Sequence, residues 1–303
     1  MAYGGPNSLA DVEPYLNDIR GGRPSSPELV AEIVDRYRQI GGKSPLLEIS
    51  TQQARALEQR LNADGLRVRV YVGMRHWQPR IKEAVSQAAA DGVTRLTAVC
   101  LAPHYSRMSV GAYFEKVKEA VAGLATPLEV RYVKSWHDEP LLLKALAEHA
   151  REGLAKFPAS ERASVEIIFT AHSLPTRILK DADPYPDELL ATARGVAALL
   201  DGKNPWRFAY QSQGRTPEPW LGPTVEATLD ELAKVGTRHV LIAPVGFVAD
   251  HVEILYDVDI VFKHQAEALG MQLERIDMLN VAPPMIAGLA DLVRNKAKEA
   301  DWL

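Results

Sequence analysis

Four of the eight histidines lie shortly after stretches that are predicted to be β-strands: His76, His104, His172 and His251. An imidazole can accept a proton near neutral pH or bind a metal ion. His172 is the strongest candidate, because residues 166–171 before it have the pattern of a buried strand and Ser-Leu-Pro at 173–175 predicts an immediate turn. A histidine held by backbone hydrogen bonds at a strand end would give the same pattern, so both interpretations stay open.

Three carboxylates form a second group of candidates. Asp250, Glu253 and Asp257 are spaced by three and four residues in a segment with a helical pattern, which places them on one helix face. A divalent cation would neutralise their mutual repulsion, and a solvated acidic face would have the same spacing. The apolar neighbours Ile254 and Leu255 predict that the helix is largely buried, which argues against the solvated face.

Several classes of chemistry lack their usual motifs. The sequence has no GxxxxGK[ST] phosphate loop and no GxGxxG after the first strand. It also has no HExxH pair, no EF-hand spacing and no GxSxG nucleophile motif. Proton or metal chemistry with histidines and carboxylates is the class that remains.

These candidates need a scaffold that brings several strand ends together. Apolar, β-branched runs predict strands over 68–72, 96–101, 128–133, 165–170, 208–211, 240–245 and 272–276. Helical patterns separate them, at about 79–90, 109–121, 140–156, 186–200, 224–234 and 250–269, with a last helix from about 283. The alternation predicts an α/β fold of two similar doubly wound, Rossmann-like domains, each with a four-stranded parallel sheet.

We place these domains at 1–155 and 156–303, with the active site in a cleft between them and the last helix packing back on the first domain. The halves show weak similarity in the same order: residues 2–6 parallel 171–175, and 102–103 parallel 243–244. The segment 1–6 has the pattern of a strand end and its turn. The apolar body expected before it is absent, so either the start is truncated or the first strand is very short.

Composition limits the function further. The 303 residues carry a net charge of −4, which argues against general nucleic-acid binding. The single cysteine, Cys100, excludes an internal disulfide and a four-cysteine iron–sulfur cluster, and it is predicted to be a small core residue. No apolar run is long enough for a membrane span. These features predict a soluble, cytoplasmic protein, and we also expect it to be a monomer.

Several long motifs, taken in order, resemble those of the ferrochelatases. They are AHSLP at 171–175, DPYP at 183–186, QSQGRTPEPWLGP at 211–223 and PVGFVADHVE at 244–253, with IGGKSPL at 40–46 and LAPHYS at 101–106. The likeness covers nearly the whole chain. The opening MAYGGP is similar to the Gram-positive type, which inserts Fe²⁺ into coproporphyrin III.

The resemblance implies specific site residues. His172 and Glu253 match the catalytic pair that handles metal and protons on one face of the macrocycle, and Tyr3 matches the tyrosine that approaches iron from the other face. Asp257 is a further metal candidate, although Val261 stands where relatives continue the acidic series. The remaining matches are expected to contact the porphyrin: Arg20, Arg36, Tyr37, Ser44, His76 and Tyr113.

The resemblance also implies the partners. Fe²⁺ and coproporphyrin III would be substrates, with no permanently bound cofactor, no iron–sulfur cluster and transient contacts with neighbouring haem-pathway enzymes. Three alternatives stay open: the same reaction on protoporphyrin IX, a chelatase for another metal or tetrapyrrole, and a non-catalytic haem or porphyrin carrier with Tyr3 and His172 as axial ligands.

Overall fold

Helices and parallel strands alternate along the chain, in a computed structural model that describes residues 1–200 and 203–303. Helices α1–α10 are Val12–Ile19, Pro27–Gln39, Leu46–Ala63, Ile81–Ala90, Ala112–Ala122, Pro140–Ala155, Tyr185–Leu199, Val225–Lys234, Lys263–Ala268 and Pro283–Glu299. Strands β1–β6 are Arg95–Val99, Glu129–Val133, Glu166–His172, Trp206–Gln211, His239–Ala243 and Gln272–Arg275. Two π-helices, Arg107–Gly111 and Glu253–Phe262, complete the main elements.

Two compact units make up the chain. The first comprises 1–136, 249–252 and 280–303, and the second comprises 137–248 and 253–279. The α/β fold class with parallel sheets is thereby confirmed. No helix of the described residues is both long and apolar enough to cross a membrane.

The second unit contains the larger sheet. Its four parallel strands lie in the order β4-β3-β5-β6. The chain leaves β3 towards β4 on one side and leaves β5 towards β6 on the other, so the connections reverse direction between β3 and β5. In open α/β sheets, ligands bind beyond the carboxyl ends of the strands at such a reversal. β3 is buried from Glu166 to Ala171, which explains the apolar run at 167–169.

The sheet of the first unit is smaller than predicted. Among the described residues, only β1 and β2 form a ladder, and residues 68–72 belong to no strand. The four-stranded prediction for this half is therefore wrong. Met1 and Ala2 lie beside β1 and residues 73–75, but they reach only the ends of both: Leu101 N–H donates to Met1 O at 2.8 Å, and Ala2 N–H donates to Gly73 O at 3.2 Å. Among the described residues, no strand lies between residues 68–72 and β1. Residues 68–72 therefore have no neighbouring strand with which to form a ladder.

Packing assigns helix α6 to the second unit, whereas the sequence analysis ended the first domain at residue 155. Helix α6 packs against α7 and β5. A Cβ on Gly153 would lie 2.8 Å from Leu241 Cδ1, which shows how closely this helix approaches the second sheet. Helix α10 belongs to the first unit, where it packs on α3.

Cys100 lies in the core of the first unit, as predicted. Its side chain is buried with Ile81, Val85, Val110 and Phe114. Burial raises the pKa of the thiol to about 11, so the group stays protonated and unreactive at neutral pH.

Candidate active site

His172 is the last residue of β3, next to the reversal in the second sheet. Its Nδ1 contacts the carbonyl oxygen of Ser173, and its side chain is 35% exposed. The hydroxyl of Tyr185 donates to the carbonyl of His172 at 2.9 Å, and burial raises the pKa of that hydroxyl well above its ordinary value. The backbone around the imidazole is thus held by a neutral hydrogen-bond donor, and Nε2 is directed away from the Ser173 contact.

Glu253 supplies a carboxylate beside this imidazole. Nε2 of His172 lies 3.7 Å from Oε1 of Glu253. Glu253 is the first residue of the π-helix, and its Oε2 is buried without a hydrogen-bond partner among the described residues. A buried carboxylate oxygen without a donor is costly, so this atom is available to a proton or a metal ion. The pair can therefore move a proton or bind a cation.

A buried amide holds the carboxylate in place. Gln211, at the end of β4, donates from Nε2 to the carbonyl of Glu253 at 3.0 Å. Its Oε1 accepts from Thr170 Oγ1 at 2.8 Å, and both side chains are buried. These two bonds fix the orientation of the amide and join β3, β4 and the start of the π-helix.

Gly246 allows the segment after β5 to approach β3. A Cβ at this position would lie 2.4 Å from the Cβ of Ala171 and 2.8 Å from its Cα. The N–H of Gly246 donates to the carbonyl of Thr170 at 3.0 Å. Only glycine fits so close to β3, which explains the PVGF pattern at 244–247 physically.

The expectation that Asp250, Glu253 and Asp257 share one helix face is wrong. Asp250 precedes the helix and lies in the first unit, where Asn280 Nδ2 donates to its Oδ2 at 2.7 Å. Asp257 accepts from Ser212 Oγ at 2.7 Å. Within the described chain, no group of three or more His, Cys, Asp or Glu side chains could hold a metal ion.

A second group of predicted residues meets in the first unit. The ring centroids of Tyr3 and His76 lie 4.7 Å apart, and the backbone N–H of His76 donates to the backbone carbonyl of Tyr3 at 2.9 Å. Asp18 lies 3.0 Å from His76 Nδ1 through Oδ2 and 2.8 Å from Arg80 Nη2 through Oδ1. Asp18 therefore orients the imidazole beside Tyr3.

Opposing effects set the charges of His76 and Asp18. Burial lowers the pKa of His76 below 6.5, and the nearby Arg75 and Arg80 lower it too; the hydrogen bond to Asp18 raises it without compensating. Burial raises the pKa of Asp18, but the hydrogen bonds and the charges of Arg80 and His76 together outweigh it, so the net pKa is lowered. At neutral pH the pair is a carboxylate and a neutral imidazole, which can bind metal.

The other predicted porphyrin contacts differ in burial. Tyr37 and Ser44 are buried, and a Cβ on Gly5 would lie 2.4 Å from Ser44 Oγ. Arg36 donates to Glu32 at 2.8 Å, and Arg20 is exposed. Tyr113 is buried, with the guanidinium carbon of Arg75 5.4 Å from its ring centre.

The other two histidines after predicted strands lie elsewhere. His104 is buried in the first unit, and His251 contacts the carbonyl of Ala249 through Nδ1 at 3.0 Å. Both histidines belong to the first unit.

Comparison with known proteins identifies the family. The family model described as Ferrochelatase matches residues 1–297. The chain belongs to the ferrochelatase family. It is 46% identical over 294 residues to the ferrochelatase of Herpetosiphon aurantiacus, and the aligned region covers 97% of this chain and 96% of that protein. It is 40% identical over 299 residues to the coproporphyrin III ferrochelatase of Bacillus subtilis, and the aligned region covers 98% of this chain and 96% of that protein.

A solved structure extends the likeness to the fold of this ferrochelatase. SirB from Bacillus subtilis, determined with Fe³⁺, matches with a TM-score of 0.58 at 14% identity, covering 83% of this chain and 91% of that one. At this identity the match supports the fold alone. It agrees with the two Rossmann-like halves predicted for this ferrochelatase.

Four supporting residues of this ferrochelatase had no role in the sequence analysis: Asp18, Thr170, Gln211 and Ser212. Gln211 and Ser212 lie inside the motif at 211–223, which marks them as residues of interest. The motif does not predict that they bond to Glu253 and Asp257. Nothing in the local sequence distinguishes Asp18 from other surface-type acids on a helix. Its partner His76 is 58 residues away in the chain.

Proposed function

We propose that this ferrochelatase inserts Fe²⁺ into coproporphyrin III, with His172 as proton acceptor and metal ligand and Glu253 as its partner. The observation that supports these roles most directly is the 3.7 Å separation of Nε2 of His172 and Oε1 of Glu253 at a strand-end position. Membership of the family establishes iron insertion into a porphyrin as the reaction class. The choice of porphyrin and the residue roles are the proposal.

Proton removal explains why a histidine and a carboxylate are needed. A free porphyrin holds two pyrrole N–H protons, and both must leave before a metal ion can occupy the ring centre. Neutral imidazole accepts a proton from a pyrrole nitrogen, and the adjacent carboxylate stabilises the imidazolium that forms. The unpartnered Oε2 of Glu253 then offers a second site to which a proton can pass.

Metal delivery uses the same pair. Fe²⁺ must shed water before it enters the ring, and imidazole nitrogen and carboxylate oxygen are ligands that can replace this water stepwise. Two protein ligands bind a cation more weakly than three or four would, which suits transfer better than storage. We assign Asp257 no more than an outer role, because its carboxylate already accepts from Ser212.

Residues of the first unit have a different role in this proposal. Tyr3 is the axial group for the product iron, since its phenol oxygen is an oxygen ligand and its side chain is 40% exposed. His76 beside it is a neutral nitrogen base that assists metal entry. Arg20, Arg36, Tyr37, Ser44 and Tyr113 are the proposed porphyrin contacts.

The preference for coproporphyrin III is supported by the relatives that bear this name, at 40% identity in Bacillus subtilis and 40% in Oceanobacillus iheyensis. Coproporphyrin III carries four propionates, whereas protoporphyrin IX carries two propionates and two vinyl groups. Guanidinium groups pair with carboxylates through two parallel hydrogen bonds, so an exposed arginine such as Arg20 favours the substrate with more propionates.

A side-by-side turnover assay tests the substrate. The enzyme is supplied with Fe²⁺ under anaerobic conditions and with each porphyrin at equal concentration, and metallation is followed by absorbance. We expect kcat/KM to be at least about tenfold higher for coproporphyrin III, which corresponds to about 1.4 kcal/mol. A clear preference for protoporphyrin IX would refute the substrate assignment. Binding of either porphyrin without any metallation by the wild-type protein would instead indicate a carrier.

A further inference from the structure

The helix that carries Glu253 has an unusual geometry. It is a π-helix over ten residues, Glu253–Phe262, and the chain continues as the α-helix α9 only from Lys263. A π-helix usually occupies a single turn within an α-helix, and such turns are frequent at functional sites. Because this geometry is rare, contacts with the rest of the second unit must hold the helix in its wider turn.

Burial along the helix agrees with the wider turn. Ile254, Val258 and Phe262, each four residues after the last, are buried in the core of the second unit. Val261 is 38% exposed, although it stands seven residues after Ile254. Residues seven apart share one face of an α-helix, whereas at roughly 80° per residue in a π-helix they lie on nearly opposite faces.

An ion pair with two parallel hydrogen bonds holds the middle of the helix. Nε of Arg275 lies 2.7 Å from Oδ1 of Asp259, and Nη2 lies 2.9 Å from Oδ2. The Arg275 side chain is only 15% exposed, and Arg275 is the last residue of β6, which pairs with β5. Two parallel bonds fix direction as well as distance, so Asp259 cannot turn about the helix axis without breaking one of them.

The end of β4 holds the start of the same helix. Gln211 donates from Nε2 to the carbonyl of Glu253 at 3.0 Å, and Ser212 donates from Oγ to Oδ2 of Asp257 at 2.7 Å. The bond to the carbonyl fixes the position of residue 253, but it does not by itself fix the direction in which the side chain leaves the helix. That direction depends on the twist between residue 253 and the next fixed points.

From these contacts we propose that Arg275 and Asp259 are positioning residues for iron insertion, which hold the helix in its π twist and so direct Glu253 towards His172. Asp259 stands six residues after Glu253. Over six residues, a change from about 80° to about 100° per residue turns Glu253 by roughly 120° relative to Asp259. A carboxylate turned so far leaves its place 3.7 Å from Nε2 of His172. The inference rests on the role proposed for Glu253.

A double-mutant cycle in the full chain tests whether the ion pair acts through Glu253. Arg275→Lys keeps the charge and loses the two parallel bonds. We expect it to lower kcat for Fe²⁺ insertion at least about fivefold and to change KM for the porphyrin by less than about twofold. In a Glu253→Gln background the same change should lower kcat by less than about twofold, because the carboxylate that it directs is already absent. Asp259→Asn should give the same pattern.

Arg207→Lys is the matched control for the loss of an arginine–carboxylate pair. Nε of Arg207 lies 2.7 Å from Oε1 of Glu166, which is the first residue of β3, whereas His172 is the last. The same substitution is therefore made in the same unit, away from the π-helix. We expect its kcat to stay within about twofold of the wild type. Melting temperatures of all variants show that the kinetics are those of folded protein.

Crystal structures of Arg275→Lys and Asp259→Asn test the geometry without reference to chemistry. We expect α-helical turns within 253–262 and a separation of Nε2 of His172 and Oε1 of Glu253 greater than 3.7 Å. An unchanged helix and separation in both variants would overturn the inference. So would an unchanged kcat in Arg275→Lys, or an equal loss of kcat with and without the Glu253 carboxylate.

Failure of the proposed function gives a different result. If Glu253→Gln alone keeps the kcat of the wild type, the chemical role of Glu253 is wrong. The two crystal structures then decide by themselves whether Arg275 and Asp259 direct this side chain.

Discussion

Nε2 of His172 lies 3.7 Å from Oε1 of Glu253, although the two residues are 81 positions apart by their numbers and enter from β3 and from the segment after β5. These strands are neighbours at the point where the connections of the second sheet reverse direction. The reversal leaves room beyond the strand ends, and both side chains occupy that position. A side chain that can accept a proton and one that can bind a cation therefore lie together beyond the carboxyl end of β3.

Replacing the imidazole tests its role in chemistry. We expect His172→Ala to lower kcat for Fe²⁺ insertion by about 10²- to 10⁴-fold, the range for loss of a positioned base. Porphyrin affinity, measured by fluorescence quenching, should stay within about threefold, since truncation removes no carboxylate partner. His149→Ala is the matched control, because His149 contacts only the carbonyl of Asp277 among its described hydrogen bonds. An unchanged kcat in His172→Ala would contradict the assignment.

The buried hydroxyl of Thr170 should support the site through Gln211. Thr170→Val keeps the side-chain shape and removes the donor to Gln211 Oε1, which is then buried without this bond. We expect a loss of about 1–3 kcal/mol in the free energy of unfolding, measured by urea denaturation. In the control Thr228→Val, the lost hydroxyl donates to the Thr224 carbonyl, which also accepts from the Thr228 N–H, so the loss should be smaller. Equal losses would argue against the amide network.

The close approach of Gly246 to β3 should tolerate no side chain. In Gly246→Ala the new Cβ would lie 2.4 Å from Ala171 Cβ, so the segment after β5 must move away from His172. We expect a lower melting temperature and at least a tenfold lower kcat. Gly123→Ala is the control: its nearest contact would be the Ala120 carbonyl at 3.5 Å, an ordinary van der Waals distance. A fully active Gly246→Ala enzyme would show that this approach does not position the pair.

Asp18 should control the titration of His76. Its hydrogen bond raises the pKa of His76 against the larger effect of burial, so Asp18→Asn should lower that pKa further. Histidine chemical shifts followed by NMR against pH measure the change directly. Asp11→Asn is the control, since Asp11 is bonded to Ser8 and not to His76. A higher pKa of His76 in Asp18→Asn would contradict the proposed orientation.

His76 should also make stability depend on pH. Its pKa is lower in the folded protein than its ordinary value of 6.5, so the unfolded chain binds the proton more tightly. Stability should therefore fall as the pH decreases through 6.5 and stay constant for this group well above it. Urea denaturation measures the free energy of unfolding at pH 7.5 and at pH 5.5. The difference between these two free energies should be smaller for His76→Gln than for the wild type. Equal differences would mean that the imidazole is not buried in its neutral form.

Local pattern was sufficient to predict most elements. The strands β1 to β6 and most helices lie within a few residues of their predicted ranges, because apolar periodicity and turn residues act over short distances. Long-range placement was less predictable. Residues 68–72 have a strand sequence but no ladder, since a strand needs a partner that its own residues do not specify.

The sequence by itself determined the family, the parallel α/β class and the histidine at the end of a buried strand. Those properties depend on residue type, order and local spacing, which the chain carries directly. Tertiary structure alone decided that Asp250 bonds to Asn280 instead of sharing a helix face with Glu253, and that Asp18 orients His76. A carboxylate three residues from another can point to different neighbours once a helix begins between them, and only packing determines where that helix starts.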